Sequence, residues 1–582
     1  MSKINNIELV RHSLSHLMSM AVQELYPKVG LGVGPAIENG FYQDYDLSEV
    51  IITPEILPKL EKRMRELIKE DIKFEQHDMD FDEAYKLYEH DPYKTWFIDD
   101  LKERGEKKVS FYKSDWFENL CAGPHVKSTK EINPEGFKLT SIAGAYWRGD
   151  EKNKMLTRIY GIAFDSKEEL KEYLAQKEEA QKRDHRKLGK ELGLFSFSEM
   201  VGAGLPLWSP KGTVLRNQLQ NRLLEVSKKY GMLPVTIPHI AKRKLYETSG
   251  HADKFGDELF KVIGHYDEFV MKPVNCPHHT QIYASQPRSY RDLPLRYMES
   301  TMQYRDEKPG EIGGLTRVRS ITVDDGHIFC TPDQIKEESK NIAKIIEEFY
   351  TSLGLFGSHW VSLSVRDPNN PDAYIGEPAD WEKAEKMLEE VSDDLKLDAK
   401  RVEGEAAIYG PKLDYVFKDS LGREWQLATI QLDFAMPKRF GLEYTNEKGE
   451  KATPVMIHRA ILGSYERFLA ILIEHFAGAF PLWLSPVQVK ILPISEKHNK
   501  YAEEVLEALQ GKGIRAEIDE SNEGLGKKIR NAKIQKTPYM LVIGDKEVES
   551  KEVTLESRTE KVGSFSIKKL IELLQKEIEE KN

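Results

Sequence analysis

The chain has 582 residues, 40% hydrophobic and 31% charged, a balance that buries a core and excludes disordered and fibrous classes. Its 85 Lys and Arg against 96 Asp and Glu leave a net charge of −11, so nucleic-acid binding is not advertised overall, although a local basic track can still hold a polyanion. Three cysteines are too few for a disulfide framework and point to a reducing compartment.

At about 150 residues per domain the length accommodates roughly four domains. The N-terminus has neither the apolar stretch of a signal peptide nor the Arg/Ser bias of a transit peptide, and a cytoplasmic location is expected. His12 and His16 stand four apart in VRHSLSHLMSMAV, whose apolar spacing is helical, so both project from one face. Cys121 and His125 in NLCAGPHV form a second spaced pair. Such a set can hold a metal, supply polar groups for hydrolysis, or consist of satisfied structural histidines; the residues alone leave all three open.

Lys167–Leu192 carries 15 charged residues in 26, with no proline and one glycine. Leu170, Leu174, Leu188 and Leu192 give it a thin apolar stripe, so one charged linker helix is expected there. No GxxxxGK[ST] and no GxGxxG occurs, so any bound nucleotide must be held by side chains. YMESTMQYRDE and TRVRSITVDDGHIF are strand-like and flank the Gly/Pro-rich KPGEIGGL, which predicts a hairpin with a long loop. Period-2 alternation puts Arg305 and Glu307 on one face of the first strand, and Arg317, Asp325 and His327 on one face of the second. Guanidinium groups there can grip phosphate oxygens, and a carboxylate can accept from an exocyclic amine. An exposed charged hairpin has the same pattern. The best apolar run, Phe468–Leu484, is broken by Glu474, His475 and Pro481, so no membrane span is expected. After PLWLSP the pattern alternates: strand VQVKILPI, helix Tyr501–Leu509, strand Tyr539–Ile543 and a closing helix Ile567–Ile578, the signature of a small α/β domain.

YRDE, a loop and LTRVRSITVDDGHIF together resemble motif 2 of class II aminoacyl-tRNA synthetases, and VMIHRAILGSYERF resembles motif 3. Motif 1, the dimerisation element, corresponds to the region around Tyr230–Pro238 (YGMLPVTIP). NCPHH, AIYGPKLDY and WQLATIQLDF narrow the resemblance to the threonyl-tRNA synthetase family. HSLSH, NLCAGPH and GAYWRGDEKNKMLTRIYG resemble that family's editing domain, shared with alanyl enzymes; GIRAEID and KKIRNAKIQKTPYMLVIGDKEVES resemble its anticodon-binding domain. The resemblance implies an α+β multidomain protein. An α/β editing domain is expected over 1–165, a linker helix over 166–195, an antiparallel-sheet class II catalytic domain over 196–483 and a C-terminal α/β anticodon-binding domain over 484–582. The resemblance is to the bacterial type, and on it the chain is expected to lack the small extra N-terminal domain with which many bacterial members begin.

By matching position, the family implies that Cys276, His327 and His458 hold one zinc ion per subunit, which threonine binds through its amine and its hydroxyl. Cys plus two His is a ligand set that leaves a coordination position open. Valine lacks the hydroxyl and is rejected strongly; serine lacks only a methyl, worth about 1–3 kcal/mol, which is too little for translation. A second, hydrolytic site is then needed. Arg305, Arg317 and Arg467 are expected to bind the ATP phosphates with Mg2+, Glu307 to read the adenine amine, and Asp325 to accept from threonine's ammonium. Gln426 with ATP, and Tyr409, Lys412 and Gln431 with the substrates, line the same pocket in the family; His251 matches a histidine near the terminal ribose of the tRNA. His12, His16, Lys94, Cys121 and His125 match the editing site, which in threonyl members deacylates with water and without a metal. Asn522, Arg530 and Glu547 match readers of splayed anticodon bases. The expected activity is ATP-dependent attachment of L-threonine to tRNA(Thr) by a homodimer, with clearance of mischarged Ser-tRNA(Thr). Four positions depart from the family pattern: Val323 for Gln, Asn119 for Asp, Glu556 for Arg and His278 for Gly. A free-standing deacylase using only the N-terminal site, or an RNA-binding paralogue without catalysis, are the rival readings; neither needs the three arginines.

Overall fold

The computed structural model describes residues 6–47 and 50–581. It divides into two compact units, up to Glu178 and from Glu179.

In the first unit the helix Asn6–Leu25 packs on a sheet whose main strands are Gly40–Asp46, Met155–Ala163 and Phe137–Tyr146. Leu14, Leu17, Met18 and Ala21 recur at helical spacing and are fully buried, which fixes which face of the helix turns inward and with it the position of His16. A smaller antiparallel sheet, Glu75–Met79, Val109–Ser114 and Phe117–Leu120, carries the helices Phe81–Tyr88 and Pro92–Glu103 on its own apolar cluster. The first turn of the second of these is capped by Asp91, whose carboxylate accepts from the N–H groups of Tyr93 and Lys94.

The charged stretch after residue 166 forms two helices, Lys167–Arg183 and His185–Glu191, where one was expected. Asp184 leaves the helical conformation, at ψ 120°, and accepts from Arg186 N–H, ending the first helix and capping the second. Buried Leu188 and Leu192 bind the second helix into the core of the larger unit.

That unit is built on an eight-stranded sheet in the order Leu233–Pro234, Leu295–Tyr304, Ser320–Cys330, Val455–Ala460, Glu424–Asp433, Lys412–Lys418, His359–Val365, Lys400–Glu403. The six central strands run antiparallel, and the two outermost pair parallel. Alternation divides its faces. Ile328, Ile457, Ile430, Leu413 and Leu363 point into a core shared with Ile342, Ile345 and Phe349 of the helix Ile335–Thr351. Each such aliphatic side chain contributes about 1.5–3 kcal/mol by burial. A one-residue slip would exchange this row for the polar one, so the core sets the register of the site.

From residue 489 a five-stranded sheet is ordered Ala516–Ile518, Val489–Pro493, Tyr539–Ile543, Glu552–Ser557, Lys561–Ser566, the first three parallel. Helices Asn499–Gln510, Leu525–Ile534 and Ile567–Glu580 accompany it. The alternation expected there is present; the Ala516–Ile518 strand and the last two strands were not anticipated. No helix among the described residues is long and apolar enough to cross a membrane.

Candidate active and editing sites

The face of the large sheet opposite the core carries one polar row running across six strands. Tyr297 stands opposite His327, His327 opposite His458, His458 opposite Gln431, Gln431 opposite Lys412, and Lys412 opposite Ser364. Residues far apart in the chain are thus cross-strand neighbours. Cys276, the first residue of the helix Cys276–Ala284, completes a buried trio in which one ligand atom each from Cys276, His327 and His458 lies within 4.8 Å of the others. Asp433 Oδ2 accepts from His458 Nε2 at 2.8 Å, and His327 Nδ1 lies 2.7 Å from His279 Nδ1. A carboxylate behind a histidine is the usual second support of a metal-bound ring. Burial pushes the Cys276 thiol well above its ordinary range, with Asp325 and Asp433 adding repulsion against a thiolate. A soft donor, two imidazoles and carboxylates with no cationic side chain among the donors suit a zinc ion.

Around this trio the Tyr409 ring stacks on His458 at 4.4 Å and its hydroxyl donates to Gln431 Oε1 at 2.7 Å. Lys412 Nζ is 3.0 Å from Asp414 Oδ2. A bulge pairs Val416 with Gln426 and skips Leu427, which returns Gln426, exposed, to the Lys412 and Gln431 face. Asp325 shares His327's face and accepts from Asn275 Nδ2–H at 3.1 Å. His251 is buried at the head of the second of two short helices that meet at Gly250, whose φ of 84° suits glycine. Its Nδ1–H donates to Ser249 Oγ at 2.9 Å, and Ser249 in turn donates to the Tyr246 carbonyl. Burial, then the nearby His458, Lys254 and Arg305, push His251 down to about 3, so its ring is neutral at physiological pH.

The hairpin differs from the expectation at its end. The strands are Leu295–Tyr304 and Ser320–Cys330, so Arg305, Glu307 and Arg317 lie in the connection and strand parity does not place them. Arg305 N–H still bonds to the Arg319 carbonyl, but Glu307 N–H turns back to Arg305 O, and Pro309 has no N–H to continue a ladder. Contacts place the side chains instead. Arg317 bridges Glu307 and Glu311, with Nε donating to Glu307 at 2.8 Å and Nη2 to Glu311 at 2.9 Å. Arg467, in the first turn of the helix Tyr465–His475, donates from Nε to the Thr316 carbonyl at 3.1 Å. The Arg305 guanidinium lies 4.8 Å from the Phe255 ring centroid, and its buried Nε has no partner. Burial lowers the pKa of Arg305, and the proximity of Arg467 and Arg317 lowers it further, opposed by Glu307 and Glu258. Three cations held within each other's fields form a site for an anion of several charges.

In the first unit the two histidine pairs meet. His12 Nδ1 donates to the Pro124 carbonyl at 3.1 Å, which leaves its Nε2 facing Cys121 Sγ at 3.4 Å. Cys121 Sγ is also 3.4 Å from His125 Nε2, and Ser13 Oγ stands 3.1 Å from His125 Nδ1 while accepting from Val126 N–H. The His12 and His16 rings lie 4.1 and 4.2 Å from that of His125. Burial drives His16 well down and His125 down to about 2, and lowers His12, so the cluster is neutral. Lys94, fully buried, is pushed down to about 8 by burial, with Asp91 and Cys121 opposing. His12, His16, Lys94, Asn119 and Cys121 line one open cleft of about 620 Å³. The two His, Cys121 and His125 each bring a ligand atom within 4.8 Å of the others, so the cluster has the geometry of a metal site as well as of a hydrolytic one.

Family models match three segments: residues 109–160 the second additional domain of threonyl and alanyl tRNA synthetases, 260–476 the class II core domain (G, H, P, S and T), and 488–577 the anticodon-binding domain. The threonine–tRNA ligase of Gloeobacter violaceus is 49% identical over 581 residues, 98% of this chain and 92% of that protein. The chain belongs to the threonine–tRNA ligase family. The ligase of Deinococcus radiodurans is 48% identical, covering 95% of this chain and 85% of its own. Among solved structures, the RNA binding domain of threonyl-tRNA synthetase from Cryptosporidium parvum Iowa II superposes with a TM-score of 0.64 at 37% identity, over 68% of this chain and 98% of its own.

The remaining positions matched to the ligase family lie apart. Asn522 and Arg530 are exposed on and beside the helix Leu525–Ile534, whereas the Glu547 carboxylate is engaged by Thr554 Oγ1–H at 2.8 Å and Gly544 N–H at 3.0 Å. Of the departures, Asn119 is buried at the cleft with an unpartnered Oδ1, and His278 is buried with neither ring nitrogen partnered. Val323 bridges Ser464 through backbone, and Glu556 pairs across the sheet with Met540. Sequence reasoning passed over several residues that hold the site. Asp324, one residue from Asp325, points to the other face, where it pairs with fully buried Arg459 and accepts from the N–H groups of Ile461 and Leu462. The doubled Asp in VDDG on a strand was the available signal: opposite faces imply separate roles.

Proposed function

We propose that the chain is a threonine–tRNA ligase that activates L-threonine with ATP to threonyl-adenylate, transfers the threonyl group to tRNA(Thr) and hydrolyses Ser-tRNA(Thr). The row Lys412–Gln431–His458–His327, with Cys276 above it and the three-arginine cluster beside it, carries this reading. Cys276, His327 and His458 would hold zinc, which when bound supplies a Lewis-acidic position for an amine and a hydroxyl. Asp325, oriented by Asn275, accepts from the amino acid's ammonium. Tyr409 and Gln431 fix the far wall. Arg305, Arg317 and Arg467 hold the ATP phosphates, alongside Mg2+, and stabilise the charge that develops on displacement at the α-phosphate. Glu307, whose Oε2 accepts from Arg317, is assigned to the adenine amine. His251, neutral, is suited to accept from the terminal ribose hydroxyl. Asn522, Arg530 and Glu547 are assigned to anticodon bases. Motif 1, around Tyr230–Pro238 and containing the strand Leu233–Pro234 with Leu233 exposed, supports a homodimer; three free cysteines support a cytoplasmic location. We assign the domains to 1–165, 166–195, 196–483 and 484–582.

In the first unit, His12 Nε2 takes a proton from water as it attacks the seryl ester, and Lys94 as a cation stabilises the carbonyl oxygen. Catalysed deacylation should therefore fall as pH rises through about 8, where Lys94 loses its charge. A pH–rate profile of Ser-tRNA(Thr) clearance, corrected for spontaneous hydrolysis, checks this. Lys94→Met should remove the break; a rate that rises through the same range would make Lys94 a base instead. For the whole reading, charging of tRNA(Thr) with threonine and ATP, with no stable seryl product, is the expected outcome. Persistent absence of charging by folded protein would overturn it.

A further inference from the structure

The charged turn at Asp184–Arg186 reads in sequence as solvated linker, yet its histidine is 5% exposed and bonded at both ring nitrogens. His185 Nδ1–H donates to Glu474 Oε1 at 2.6 Å, and the same oxygen accepts from His185 N–H at 3.0 Å. On the other edge, Leu315 N–H donates to His185 Nε2 at 3.1 Å. The two bonds require the neutral tautomer with its proton on Nδ1. Glu474 sits in the last turn of the helix that carries Arg467 in its first, and its second oxygen is paired with Arg423. Leu315 lies two residues before Arg317, is fully buried, and precedes Thr316, whose carbonyl accepts from Arg467. Gly314 is held against the ring: a Cβ there would lie 2.4 Å from His185 Nε2, and its φ is +53°. One imidazole therefore joins the base of the arginine loop to the helix bearing the third arginine.

We propose that His185 is a positioning residue for ATP: it fixes Leu315, and so sets Arg317 on the loop against Arg467 on the helix. This rests on the reading of those arginines as phosphate ligands. With both ring nitrogens engaged by Glu474 and Leu315, His185 acts through the loop backbone and the helix.

Two substitutions separate the bonds. His185→Gln can present an acceptor where Nε2 stood and keep Leu315, while His185→Asn reaches only as far as Nδ1 and keeps Glu474 instead. In threonine-dependent ATP–pyrophosphate exchange by the full chain, His185→Asn should raise KM for ATP about ten-fold, the scale of one buried hydrogen bond lost. KM for threonine should stay within about two-fold, and any fall in kcat reports the same arginines' hold on the charge that develops in the transition state. His185→Gln should restore most of the ATP KM. Equal ATP KM values for the two variants, or KM for threonine rising in step with that for ATP, would make His185 a structural residue only and overturn the proposal. Should His185→Asn not fold, Gly314→Ala, which pushes the loop off the ring, carries the same expected shift and the same contrary result. If the unsubstituted chain shows no exchange with threonine, it is the assigned activity that fails and not this step.

Discussion

Cys276→Ala is expected to lower threonine-dependent ATP–pyrophosphate exchange by about 10³-fold or more and to leave the protein without bound zinc. The residue stands at the head of a helix against the two cross-strand histidines; of the remaining cysteines, Cys121 belongs to the cluster of the first unit and Cys330 is buried in the main core. Losing one of three protein donors removes the tight site, because the two imidazoles alone do not define it. Zinc should be measured with activity. The native chain is expected to hold one ion and the variant none. One ion retained by Cys276→Ala with activity lost, and then released on replacing Cys121, would place that ion at His12, His16, Cys121 and His125 and would overturn the metal-free account of the cleft. One ion retained with full activity would remove zinc from Cys276 altogether.

The second large effect is confined to the other unit. Replacing His12 and His16 together with Ala should slow deacylation of Ser-tRNA(Thr) by about 10²–10⁴-fold, the range of a lost general base, and leave threonine charging unchanged. His12 carries the basic Nε2 towards the cleft, and His16, buried beneath it with an unpartnered Nδ1, packs against the His125 ring. Seryl product should then accumulate in charging reactions containing serine. Clearance at the native rate would show that these histidines are structural, as the sequence alone permitted.

Much of the fold and of the candidate site is legible in the sequence because the chemistry sits in short runs. NCPHH carries the candidate Cys276, DDGH both Asp325 and His327, MIHRA His458 and SYERF Arg467, and the alternating pattern around His327 and His458 predicted strands that are present. That those histidines are opposite each other could not be read: register is fixed by the aliphatic row Ile328, Ile457 and Ile430 on the far face, and by pairing between distant strands. The hairpin end was misplaced for a local reason, since strand-like residues continue through Arg305 while the backbone turns ahead of Pro309. His185 was missed for the converse reason. Charge density predicts a solvated helix, and nothing in DHRK announces that the imidazole reaches a loop and a helix far along the chain. Asp324 was hidden by its neighbour, two identical side chains in sequence being assigned opposite faces only by the strand.

Threonine-dependent ATP–pyrophosphate exchange, with valine and serine offered in turn, tests the central claim most directly. A site built around Cys276, His327, His458, Asp325 and Gln431 should support exchange with threonine, weak exchange with serine and none with valine, since valine lacks the hydroxyl that the site is built to engage. Exchange with valine comparable to that with serine, or no exchange with any of the three by folded protein, would contradict it.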